Sequence, residues 1–365
     1  VVLGAEFNAT GDVDLTSYAD GGAGEIGGDA FAGTASVEVG DDATASLAAV
    51  FLAASAEGGD GNQLGGEALG GSAQIVLSGG NLTASGPVNI LASGSGGRGQ
   101  SGGSGGDGYG GIAGVIVSRG DAGFDQSLAI VADGEGGDAN GPGGDGGDGY
   151  GGAAVLLVQG DALRAARMSV QGTLDMFVSG AGGDGGAGDG DQNAAGAGGT
   201  GRGGRNDFAS LVDSGQGTGS YINVNADYGQ LLVAGATSVY SIGLGGSGGD
   251  APIGAVGGPG GAAFGGDVFV GVFDPVDNGP RLGSAAFGDL AAFSFALGGT
   301  GGVDGEEILT GIGGEARGGA ILVASRGGLL TADNIALTDY AQGGGGAIGG
   351  DGFGGQAGMV TRDGG

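Results

Sequence analysis

Acidic side chains dominate the chemistry this sequence could perform. The 365 residues carry 41 Asp and Glu against 10 basic residues, every one of them Arg, for a net charge of −31. Lys, His, Cys and Trp are all absent. That removes thiol nucleophiles, imidazole bases, thiolate or imidazole metal ligands and disulfides together. Carboxylate pairs remain, as in a glycosidase, but Asp41-Asp42 and Glu306-Glu307 are pairs that any chain this acidic contains. No cationic partner of the Lys or His type stands by to tune them. We therefore expect no enzyme.

Two stretches match a single unit of the calcium-binding nonapeptide G-G-x-G-x-D-x-U. They are Gly102-Gly103-Ser104-Gly105-Gly106-Asp107-Gly108-Tyr109 and Gly143-Gly144-Asp145-Gly146-Gly147-Asp148-Gly149-Tyr150. A calcium roll holds each ion between consecutive turns, whereas these units stand alone. If copies stack, Asp107 and Asp148 approach in space, which makes them the candidate Ca²⁺ ligands. The competing assignment is that each Asp caps a glycine turn. Apart from Ca²⁺, no cofactor is expected. The segment Gly180-Ala181-Gly182-Gly183-Asp184-Gly185 fits the dinucleotide pattern G-x-G-x-x-G. With Gly at roughly 28% of the chain, chance supplies such a match at ~2% of positions, and no βαβ context surrounds it.

The third group is aromatic: Phe31, Tyr109, Tyr150, Phe264 and Phe353 occupy equivalent places in a recurring block. They could form a ladder on which sugars stack, or plug the junction between glycine tract and strand. The second reading is favoured, because total aromatic content is only 5%.

These residues are positioned by an internal repeat: Gly-Gly-acid-x-aromatic-Gly-Gly-x-Ala-x-aliphatic. Its clearest copy is Gly105-Gly106-Asp107-Gly108-Tyr109-Gly110-Gly111-Ile112-Ala113-Gly114-Val115. Blocks start near residues 27, 65, 105, 146, 203, 260, 313 and 349, and the first four are separated by 38, 40 and 41 residues. The copy near 203 is degenerate and runs to Phe208. Each block leads into period-2 alternation, as in Ala35, Val37 and Val39 against Ser36 and Glu38, which marks a strand with one buried face. Turn residues follow (Gly40-Asp41, Gly79-Gly80-Asn81, Gly120-Asp121, Gly160-Asp161). A second strand comes next: Leu82 to Leu91, Leu128 to Val131, Ser169 to Val178, Tyr221 to Val224, and Ile335 to Leu337. A glycine tract then closes the unit. Ala162 to Met168 is the only stretch with any helical character.

One such unit cannot bury its own apolar face, but stacked copies can. The expected fold is all-β, a parallel β-solenoid of about seven to eight imperfect repeats forming a single domain over 1–365. Gly makes up 104 of the residues, and ordering glycine is entropically expensive. The long tracts must recover that cost. Bundled polyglycine-II helices, with three residues per turn, would recover it through backbone hydrogen bonds; irregular loops on the flank are the alternative. The 6 Pro and the lack of a Gly-X-Y register exclude collagen.

A surface this acidic repels nucleic acid and anionic lipid. No apolar run approaches the ~20 residues of a membrane-spanning helix. The Gly-Gly-Asp-Gly-Tyr-Gly-Gly-x-Ala block, the short aliphatic strands and the Gly/Asp/Ala tracts resemble the giant repeat adhesins of Gram-negative bacteria, of haemagglutinin-like or autotransporter-like type. The resemblance implies a right-handed parallel β-helix, an extracellular or cell-surface location, and a role in adhesion or biofilm. It carries over no functional residue. Self-association into filaments and contact with a surface glycan are the expected partnerships. A binding module for polysaccharide or ice is the alternative function, and a polysaccharide-cleaving β-helix the remote one.

Overall fold

The computed structural model describes residues 2–3, 6–160, 165–189, 195–204, 219–225, 229–273 and 283–362. Among them the protein is all-β, without a helix, and every pairing between named strands is parallel. Among the described residues no helix is long and apolar enough to cross a membrane.

The chain runs in circuits, and each circuit adds one strand to two of the large sheets and two strands, or one long strand, to the third. A nine-stranded sheet contains Thr34–Val39, Ser72–Leu77, Ile112–Val117, Ala153–Val158 and their successors to Gln356–Arg362. Opposite lies a curled fourteen-stranded sheet built from two columns, such as Asn81–Ala84 and Val88–Ser95, which merge in the long strands Ser284–Leu297 and Leu329–Gln342. An eight-stranded sheet of two-residue strands, from Ala30–Phe31 to Gly352–Phe353, closes the circuit. Register is strict: Ala73 pairs Ala113 and Ala35, and Ile90 pairs Ile130 and Leu52.

The core lies between the two large sheets. Ile75, Leu77, Val115 and Leu156 point inward from one, and Leu82, Phe124, Met168 and Ile130 from the other, all essentially inaccessible to solvent. Along each second strand large inward side chains give way to small ones in the chain direction. Val88, Ile90, Ala92 and Gly94 form one such series, and Leu128, Ile130, Ala132 and Gly134 the next. The cross-section is therefore a wedge. At its thin edge a Cβ on Gly134 would sit 2.0 Å from the carbonyl oxygen of Tyr150, so only glycine fits.

Beyond that edge the glycine tracts leave as one limb and return as a second, and their glycine amides bond to neighbouring limbs and circuits. Gly182, Gly185 and Gly188 donate to Leu244, Ser247 and Asp250 of the next circuit at 2.7–2.8 Å. Gly183 and Gly186 donate to Gly147 and Gly144 of a returning limb at 2.9 and 2.8 Å. The amide of Asp184, the third position, donates to the Asp138 carboxylate at 2.9 Å. Three successive residues thus face three directions.

Three expectations need correction. The Leu82–Leu91 stretch is two strands, because Ser85-Gly86-Pro87 turns a corner between them; Ser169–Val178 divides in the same way at Gln171-Gly172-Thr173. Tyr221–Val224 belongs to the first sheet, pairing Val155–Val158, rather than forming a second strand. The fifth block opens at Gly198-Gly199 rather than Gly203, since Gly199 occupies the hydrogen-bonding place of Gly147 and Gly201-Arg202 pairs Gly149-Tyr150. Phe208 lies outside the described residues. Ala166–Val170 is a strand, whereas 161–164 lie outside the described residues.

Candidate functional site

The sequence singled out Asp107, Asp148 and five aromatic positions, and the circuit geometry brings most of them to one edge of the molecule. The two-residue strands stack Phe31, Leu69, Tyr109, Tyr150, Arg202, Phe264, Arg317 and Phe353 in a single column. In each of these strands the first residue points inward and is small: Ala30, Ala68, Gly108, Gly149. The second residue, the aromatic or Arg, points outward.

That orientation corrects the expectation of a plug. Phe31 is 65% exposed and Phe353 49%, with Tyr109, Tyr150 and Phe264 half-buried. The junction is filled by alanine and glycine instead, because the wedge leaves no room there for a ring. Sugar stacking fares no better at the centre of the column, where ring faces are turned along the stacking axis and already covered. The Tyr109 and Tyr150 rings lie 4.7 Å apart and within 2° of parallel. The Arg202 guanidinium sits 4.6 Å from the Phe264 centroid and 5.8 Å from that of Tyr150. Arg317 lies 5.4 Å from Phe353 and pairs with Glu315. Arg substitutes for an aromatic ring in this column because a planar cation stacks as a ring does.

Asp107 and Asp148 do come together, one circuit apart. The Asp148 amide donates to Asp107 Oδ1 at 2.8 Å, and the amide of Thr200 donates to Asp148 Oδ1 at 2.7 Å. Their other oxygens accept from the hydroxyls of Tyr109 and Tyr150, at 3.2 and 3.0 Å. All four carboxylate oxygens therefore serve a donor of the protein itself. Each Oδ1 thus accepts from an amide of the next circuit, 41 or 52 residues on, rather than from its own glycine turn. The same bond recurs from Glu67 to Asp29, Arg98 to Asp60, Ser247 to Asp184 and Val303 to Asp250. Among the described residues no group of three or more Asp or Glu side chains is placed to hold a metal ion. Burial and the neighbouring carboxylate push the Tyr109 phenol far above its ordinary range, and burial with the Asp148 hydrogen bond pushes Tyr150 up to about 12.

A groove of about 1000 Å³ follows the column, lined by Leu69, Tyr109, Tyr150, Arg202, Phe264 and Arg317 over a glycine floor. A second aromatic series, absent from the sequence reading, runs along the outer face of the curled sheet. Tyr240 stacks on Phe293 at 4.7 Å, with Phe177 and Phe295 each 6.0 Å from their neighbours. Its signal was present: aromatic residues at outward positions of the strands 174–181, 237–244 and 284–297. On that face Asp133 accepts from both the amide and the hydroxyl of Ser179 at 3.0 and 2.8 Å, yet burial raises its carboxyl above the ordinary range.

No known protein family, no curated protein and no solved structure matches this chain.

Proposed function

We propose that this chain is a non-catalytic structural module of the bacterial exterior: a stiff, acidic parallel β-solenoid whose glycine limbs form a polyglycine-II bundle, acting in adhesion or as a filament segment. One observation carries this reading. Among the described residues, backbone hydrogen bonds join one circuit to the next in three sheets and in both glycine limbs. Such a ladder resists bending and extension. With ~4.8 Å per circuit, eight circuits make a body about 38 Å long. The three-directional amide pattern of the limbs is that of a three-residue-per-turn helix. Strong negative charge keeps such a strand-rich surface from collapsing onto its neighbours. The resemblance to repeat adhesins points to the same location and task.

The test is deletion of the coding gene from the producing bacterium, followed by surface-attachment and biofilm assays. Loss of attachment, restored by the intact chain, is expected; undiminished attachment would overturn the reading. The groove beside Tyr150 and Arg202 supports a second reading, a polysaccharide-binding module, for which glycan-array binding abolished by Arg202→Ala is the discriminating result.

A further inference from the structure

The first column of the curled sheet presents a second surface, apart from the groove beside Tyr150 and Arg202. Its strands Asn81–Ala84, Gly120–Phe124, Ala166–Val170, Gly229–Val233 and the start of Ser284–Leu297 turn Leu82, Phe124, Met168 and Leu231 into the core. Alternation along each strand sends the intervening residues outward. Asn81, Asp121, Arg167, Gln230 and Ser284 therefore stand in one register column on the outside. Gly123, Ser169 and Ala286 in the neighbouring column are small, which recesses the face. The result is a trough of about 670 Å³.

The protein itself does not use the five polar side chains of this column. Among the described residues they make no hydrogen bond and no ion pair within the chain. Asp121 and Arg167 are register partners one circuit apart, and still they form no ion pair. Elsewhere on the outside of the same sheet such neighbours do bond. Ser93 donates to Ser55 at 2.9 Å, Ser179 to Asp133 at 2.8 Å, and Asn334 to Asp289 at 2.7 Å. The trough thus keeps open acceptors beside open donors across five successive circuits.

We infer that the trough binds a linear, uncharged polysaccharide lying along the stacking axis, across the strands. This rests on the polysaccharide-binding reading but places the ligand on residues of its own. Donor and acceptor chemistry selects the ligand. Asp121 only accepts and Arg167 only donates, whereas Asn81, Gln230 and Ser284 do both. A run of hydroxyls satisfies all five, because a hydroxyl donates and accepts at one oxygen. An anionic polymer would face Asp121 and the field of a chain carrying −31. A cationic one would set like charge against Arg167. Leu232, 48% exposed in the recessed column, offers an apolar contact for the C–H face of a sugar ring. The length also fits. Five strands span four spacings, about 19 Å at ~4.8 Å each, and one spacing is close to what one pyranose adds to an extended glycan.

The test is an array of soluble linear glycans, neutral and acidic, probed with the intact chain. Binding to a neutral glycan is expected, with an affinity that does not fall as salt is raised from about 0.05 to about 0.5 M, since no charge is neutralised. Asp121→Ala and Arg167→Ala should each weaken it about tenfold or more, because each removes a charge-assisted hydrogen bond. Gly123→Phe is the blocking variant. A Cβ at Gly123 finds its nearest atoms, Ser169 Oγ and Leu82 O, at 3.8 and 3.9 Å, so the ring enters the trough without displacing backbone. It should abolish binding without lowering the unfolding midpoint, and Arg167→Ala carries the test if that variant fails to fold. Binding of acidic glycans alone, loss of binding at high salt, or binding that survives both Gly123→Phe and Arg167→Ala would overturn the inference. A glycan lost on Arg202→Ala but kept by Gly123→Phe belongs to the other groove: the polysaccharide reading then stands and this site falls. A silent array removes both, and the adhesion reading is still judged by the gene deletion.

Discussion

The amide of Asp148 donates to Asp107 Oδ1 at 2.8 Å across one circuit of the chain, while the Asp107 Oδ2 accepts from the Tyr109 hydroxyl. The returning limb has an amide at this place that the glycine-to-glycine bonds do not use. The carboxylate of the preceding circuit satisfies it. Replacing Asp107 by Ala leaves the Asp148 amide without its acceptor, at a cost of about 1–3 kcal/mol. Asp107→Asn keeps an oxygen in place and should lose less. Urea denaturation compares the two. If the pair instead held Ca²⁺, chelator would lower the wild-type unfolding midpoint; we expect no change.

Limb and strand glycines differ sharply in what surrounds them, and substitution should sort them. A Cβ on Gly183 would lie 2.1 Å from Gly137 O, an overlap with rigid backbone, so Gly183→Ala should cost ~3 kcal/mol or more. Gly123, in the strand Gly120–Phe124, has its nearest atom at 3.8 Å. Gly123→Ala should stabilise by about 0.4–1 kcal/mol, because the substitution narrows the unfolded ensemble at no steric cost. Equal effects in chemical denaturation would show that the limbs are not packed as described.

How much of this was legible beforehand follows the same physics. Period-2 alternation and the recurring block revealed parallel strands and their register, because a one-residue slip would turn Val37 and Ile75 out of the core. The corner at Ser85-Gly86-Pro87 was missed, since apolar residues continue on both sides of it. Tyr221 was given to the wrong sheet because residues 205–218 stand between Gly204 and the strand Gly219–Asn225, where the two clearest circuits pass directly from Gly111 to Ile112 and from Gly152 to Ala153. The outward face of the aromatic column was unreadable without the wedge. Yet the series Val88, Ile90, Ala92, Gly94, large to small, was visible in the sequence and would have shown that no ring fits the thin edge.

In the outward column, Arg202 takes the place of a ring between Tyr150 and Phe264. Arg202→Ala removes both contacts and should cost about 1–2 kcal/mol. Arg202→Tyr should restore most of it, because Tyr109 and Tyr150 already stack in that geometry. A tyrosine variant no more stable than the alanine one in thermal denaturation would mean that Arg202 contributes nothing by stacking.

Asp133 makes the sign of a pH effect testable. It accepts two hydrogen bonds from Ser179, which favour its charged form, but burial outweighs them and raises its carboxyl above the ordinary value. A carboxyl raised on folding binds its proton more tightly in the native state than in the unfolded chain. Its contribution to stability is therefore fully present below the unfolded value near 3.9 and is lost as pH rises through the native one. Asp133→Asn keeps the acceptor oxygen for Ser179 and carries no charge. It should unfold at higher denaturant than wild type at pH 7, and the gap should close as pH falls toward 4. Titrating the unfolding midpoints of both proteins between pH 3 and 8 checks this. A gap that widened on acidification would mean that the Ser179 bonds, rather than burial, govern this carboxylate.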